Sequence, residues 1–108
     1  MEIPGGVIIR ESRYPVNETI DRLQAFPQQH GATIYARIDQ QDELRKAGLN
    51  MRPLGFIMFG NPKAGGPMRS ENPFAALDLP LKVIAWQDNE NKVWVALNDA
   101  VYIEERYA

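Results

Sequence analysis

This sequence predicts a two-layer α+β domain, with a mostly antiparallel, mixed sheet of about five strands and helices packed on one face. Three observations carry that prediction. Short β-branched runs alternate with segments of helical period, in the order strand, helix, strand, short helix, strand, crossover helix, hairpin, helix. Two of the strand-like runs are separated only by Asp88-Asn89-Glu90-Asn91, a polar turn of hairpin length, so they pair antiparallel. The chain of 108 residues has the size of one domain and no Gly- or Ser-rich linker divides it, so residues 1–108 are read as a single unit.

Gly6 to Glu11 is β-branched and lies between Pro4-Gly5-Gly6 and Pro15, which bounds a short strand. From Pro15 the period changes, because Val16, Ile20, Leu23 and Pro27 recur at helical spacing. Pro15 suits a first turn that needs no donor, Pro27 is expected to kink or end the helix, and Gly31 fits a left-handed closing position. Ala32 to Asp39 alternates, with Ile34, Ala36 and Ile38 expected on one face and Thr33, Tyr35 and Arg37 on the other. Asp39 can cap the following helix, QQDELRKA, which stops at Gly48.

Leu54 to Phe59 is a continuous apolar run and reads as a central strand covered on both faces. The Gly-, Pro- and Asn-rich stretch from Phe59 to Pro80 reads as a structured crossover, with Asn61 capping and Pro62 starting a helix, and with Phe74 to Leu77 and Leu79 seeking a core. The hairpin strands, Lys82 to Gln87 and Lys92 to Leu97, are apolar on both faces, including Trp86 and Trp94. Asn98 or Asp99 then caps a terminal helix, AVYIEERY.

The composition narrows the function classes. A net charge of -2 offers no electrostatic reason to expect nucleic acid or an anionic membrane as partner. Zero cysteines exclude disulfides, thiol catalysis and thiolate metal sites. The apolar run at the start, MEIPGGVIIRES, is too short for a signal peptide, which makes the cytoplasm the expected location. The single histidine, His30, falls in a last helical turn, where the helix dipole favours a cation. With no His-Glu-x-x-His or EF-hand spacing either, no metal or other cofactor is expected.

Gly60-Asn61-Pro62-Lys63-Ala64-Gly65-Gly66 lacks the Gly-Lys-Ser/Thr ending of a nucleotide-binding loop. A Gly-rich turn feeding a helix still aims amide donors outward, and Lys63 adds a positive charge, so a weaker anion or metabolite site fits there. Asp78 stands between apolar neighbours and needs donors, either as a cap acceptor or as half of a charge pair with Lys63, Arg69 or Lys82.

At these residues a family resemblance emerges. Phe59 to Gly65, Asn72-Pro73, Ala76-Leu77-Asp78-Leu79-Pro80-Leu81-Lys82, Trp86 with Asp88, and Asn98-Asp99 before Tyr102 together resemble the domain of unknown function 302 family. The resemblance covers nearly the whole chain and implies a small α+β domain with no established reaction. Family members often carry His where Gln40 stands, and Arg-His where Arg106-Tyr107 stands. If those histidines hold a metal, haem or substrate elsewhere in the family, this chain has lost that capacity.

The reading that follows is a dimeric, non-enzymatic binding module for a small anionic ligand, with Asn61, Lys63, Asp78, Asn98 and Asp99 gathered around the crossover. The homodimer is expected because helices on one side of the sheet leave a second apolar face to cover. An alternative is an enzyme that uses Asp78 or Asp99 as general base while Lys63 holds the substrate. The third is a purely structural interaction domain.

Overall fold

The computed structural model describes residues 1–61 and 71–108. Its elements are β1 (Val7–Ser12), α1 (Val16–Gln29), β2 (Thr33–Asp39), α2 (Gln40–Lys46), β3 (Leu54–Gly60), a 3-10 turn (Pro73–Leu77), β4 (Leu81–Gln87), β5 (Val93–Asn98) and α3 (Ala100–Arg106). The strands form one sheet in the order β1-β5-β4-β3-β2. Every pairing among the described residues is antiparallel, so the predicted α+β class holds with an antiparallel rather than a mixed sheet. The helix expected over the crossover falls mainly on residues 62–70, outside the described residues.

Helix ends follow local chemistry. Asp39 accepts from the Asp42 amide at 3.0 Å and starts α2, as its position implies. α2 closes on Gly48, at φ 81°, whose amide bonds Arg45 while that of Leu49 bonds Leu44. α1 closes the same way, with Gly31 at φ 78°, and the amides of Gly31 and Ala32 reaching Gln28 and Pro27. The helix nevertheless runs past Pro27 to Gln29. Pro27 removes one amide bond only, within the last turn, and the closing bonds compensate there.

α1 packs mainly across β2, β3 and β4. Its Val16 and Ile20 sit on Ile57, Val83, Ala85 and Val93 in the larger core cluster. Gly55 makes this approach close, since a Cβ there would lie 2.8 Å from Ile20 Cδ1. A second cluster joins Ala75, Ile103 and Tyr107 with Leu79 and Leu81, so the 3-10 turn and α3 fill the other end of the helical layer.

Two expectations change. A register shift between Ile34 and Ala36 places Ile34 opposite Phe59 on the helix-bearing face, while Ala36 and Ile38 lie opposite Met58 and Phe56 on the other. One extra residue inverts the alternation, so the three side chains do not share a face. β3 is inner and, as expected, buried on both faces. Ile57 is 0% exposed beneath α1, whereas Phe56 on the opposite face is shielded by Lys82, whose Nζ lies 4.5 Å from the ring centroid. Secondly, Phe74 and Leu77 are not core residues, being 69% and 74% exposed. A 3-10 turn eclipses positions three apart, so these two share the solvent side while Ala75 points inward.

Candidate functional site

Asp78 ends the 3-10 turn, and its carboxylate reaches α3; of the partners expected, Lys63 and Arg69 lie outside the described residues. Its Oδ2 accepts from Tyr107 Oη at 2.6 Å and from Arg106 Nη1 at 2.9 Å. The Asp78 side chain is 17% exposed, and Asn72 completes the tie by donating to the Tyr107 carbonyl at 3.0 Å. The hydrogen bond to Asp78 raises the Tyr107 pKa above its usual value. Burial acts in the same direction, and the Arg106 charge opposes it. A raised value means that this bond supports folding fully below about pH 10 and stops doing so as pH climbs through the higher folded-state value.

Asp99 caps α3 by accepting from the Val101 amide at 2.9 Å, while its own amide donates to the Gly6 carbonyl at 2.7 Å. Asn98 is the exposed last residue of β5. It shares a hollow of about 170 Å³ with Asp78, Met58 and Lys82. That volume is below the roughly 300 Å³ at which small-molecule pockets begin. Asn61 is exposed just beyond β3, and Lys63 lies outside the described residues, as does most of the Gly60 to Gly66 turn. The structure thus brings Asp78 and Asn98 together, while the carboxylates of Asp78 and Asp99 are engaged in holding α3.

His30 caps α1, with Nδ1 2.9 Å from the Phe26 carbonyl oxygen and its ring stacked on Phe26. Among the described residues no group of three or more His, Cys, Asp or Glu side chains is placed to hold a metal ion.

The hairpin turn is built on another carboxylate. Asp88 Oδ1 accepts from the amides of Glu90 and Lys92, and Oδ2 accepts from Trp94 Nε1 at 2.8 Å. The indole bond is the main reason the Asp88 pKa lies below its ordinary value. The two amides and the Lys92 charge add to it, and burial opposes it. Because the folded value is depressed, this contribution to stability is present above about pH 3.9 and lost as pH falls through the lower folded value. In a Trp86→Phe background, acid titration should therefore show one Trp94 emission step centred below the ordinary carboxylate range. Asp88→Asn should remove it, and an unchanged step would refute the coupling.

The fold and these ties define a small α+β module, and residues 8–108 match the family described as Domain of unknown function DUF302. The chain belongs to that family. It is similar to an uncharacterized conserved DUF302 protein from Bacillus stearothermophilus, whose crystal structure superposes with a TM-score of 0.82 at 20% identity, covering 95% of this chain and 80% of that one. It is also 35% identical over 106 residues to a Brucella suis biovar 1 (strain 1330) protein named "Fluoride-specific ion channel FluC 1", covering 98% of this chain and 42% of the relative. A Brucella melitensis biotype 1 relative named "Fluoride-specific ion channel FluC 2" is matched at 35% identity over 39% of its length. The chain therefore spans about two-fifths of these relatives, and none of its described helices is long and apolar enough to cross a membrane.

Proposed function

We propose that this chain is a non-catalytic binding module that works as a twofold dimer, paired through the sheet face opposite the helices. One observation carries the reading. Ile38, Phe56, Ile84, Ala96 and Ile9 are successive cross-strand partners, an unbroken apolar row over all five strands. The adjacent row adds Leu54, Trp86 and Trp94, with both indoles half-buried. Phe56 and Ala96 are already buried, and the half-buried Ile9, Ile38, Ile84, Trp86 and Trp94 supply the apolar surface that a copy related by a twofold axis would cover. The Asp88 bond holds Trp94 in place on that face.

The enzymatic reading is weaker, because Asp78 and Asp99 already have donors and a general base needs its lone pair directed at substrate. The fluoride specificity in the Brucella names is not carried over, since the shared region is less than half of those proteins. Sedimentation equilibrium at micromolar concentration tests the pairing. The wild type should run at twice 12.3 kDa. Ile84→Glu should run as a monomer with unchanged far-UV circular dichroism, since it places a charge at the centre of the row. A wild-type species of 12.3 kDa would sink the dimer.

A further inference from the structure

α1 lies over β2, β3 and β4, and among the described residues a groove of about 670 Å³ runs between it and the helix-bearing face of β5 and β1. Its volume is that of small-molecule sites. Leu23 and Phe26 form the α1 wall, while Phe59, Val95 and Leu97 form the floor. Leu23, Phe59, Val95 and Leu97 all pack against the main core and are only partly buried, so the groove opens along the edge of that core.

The mouth is cationic. Arg10, Arg13 and Arg22 line it, and Arg10 sits opposite Val95 in register, which places it on the groove side of β1. Two acidic residues stand nearby. Glu18 is paired with Arg22 at 3.3 Å, and Glu11, opposite Trp94 in register, also lines the groove beside Arg10 and Arg13. Arg22 also lies 3.8 Å over the Tyr14 ring. Among the described residues the Arg10 side chain bonds the Ile9 carbonyl, and neither Arg10 nor Arg13 has an acidic partner. The hydroxyls at the base are satisfied internally. Thr19 donates to the Tyr14 carbonyl at 3.1 Å, so at the 2.6 Å contact Ser12 is the donor to Thr19. That pair fixes the end of β1 against α1 and so holds the mouth in shape.

We propose that this groove binds an amphipathic organic anion, a carboxylate on an aliphatic body. The chain would lie on Leu23, Phe59, Val95 and Leu97, and the carboxylate would meet Arg10 and Arg13. An apolar floor excludes a compact hydrophilic anion, whose desolvation nothing there offsets, and arginines at the mouth exclude an amphipathic cation. The proposal supplies a ligand class for the binding module described above and rests on that reading only in being non-catalytic. The groove lies on the helix-bearing face, so it does not depend on pairing through the other face.

Calorimetry with decanoate, decanol and decylamine, all below micellar concentration, tests it, with methyl and amide chemical shifts locating the ligand. Decanoate should bind once per chain and shift Val95 and Leu97. Decanol should bind about tenfold more weakly, and decylamine should not bind measurably. Arg10→Ala and Arg13→Ala should each weaken decanoate by about tenfold. Val95→Phe should abolish binding while circular dichroism and sedimented mass stay unchanged. Absence of decanoate binding to wild type overturns the proposal. So does undiminished affinity in the Arg10→Ala/Arg13→Ala double variant, or a shift pattern centred on Ile84 and Ala96. A protein that sediments as a monomer yet binds decanoate at Val95 would end the dimer reading and leave the groove assignment standing.

Discussion

Replacing Ile57 by alanine is expected to lower the unfolding free energy by about 3–4 kcal/mol. Ile57 is 0% exposed on an inner strand, with Val83 and Arg37 as its register partners on either side and Val16 and Ile20 packed in the same cluster. Ladders on both edges of β3 hold the backbone, so the lost volume stays as a cavity and little collapse offsets it. Measured against a total of about 5–15 kcal/mol, the loss is severe and should lower the melting temperature by roughly 15 °C. Ile57→Val, which removes one methyl group, should cost only about 1 kcal/mol. Denaturant titrations at one fixed protein concentration compare the variants, because association would shift the midpoint with concentration. If the alanine variant lost less than the valine variant is expected to lose, α1 would not be seated on β3 as described. Its seat also sets the width of the groove beside it.

Elements whose ends carry their own chemistry were legible from the sequence. α2 has Asp39 at one end and Gly48 at the other, and the hairpin has a turn of fitting length, so both emerged where expected. What escaped reading depended on residues distant in the chain. The alternation in β2 is regular, yet the register shift beside Tyr35 comes from pairing with β3, which no local pattern reveals. Phe74 and Leu77 look like core residues by type, but a 3-10 turn presents only Ala75 inward. Asp78 needs donors by its setting, and among the described residues they come from Arg106 and Tyr107 at the end of α3, 28 and 29 residues away, which no local pattern reveals. The groove had no signal at all. It is a gap left by where α1 lies, and Arg10 and Arg13 become a cationic mouth only once β1 stands at the sheet edge.

Gly6→Ala should be nearly as damaging as the cavity in the core, with a loss of about 3 kcal/mol, for reasons of backbone and space together. Gly6 stands at φ 80°, in the left-handed region, where a Cβ is disfavoured. Its carbonyl accepts the Asp99 amide at 2.7 Å, so the entry to β1 and the cap of α3 are fastened to each other. The Tyr102 side chain of α3 lies directly against the Gly6 Cα, and a methyl group there would overlap Tyr102 Cβ as well as the ring. Rotating the ring relieves only part of that overlap, because Tyr102 Cβ moves only with the helix. α3 must therefore shift as a body, carrying Arg106 and Tyr107 away from Asp78. This gives a readout that simple destabilisation would not move. Ultraviolet titration of the folded variant should place the Tyr107 ionisation closer to the ordinary tyrosine value than in wild type, since the Asp78 bond that raises it is lengthened. Tyr102→Ala in the same background should recover part of the stability by removing the ring. A Gly6→Ala protein with wild-type stability and an unmoved Tyr107 titration would show that α3 is not fastened to the start of β1.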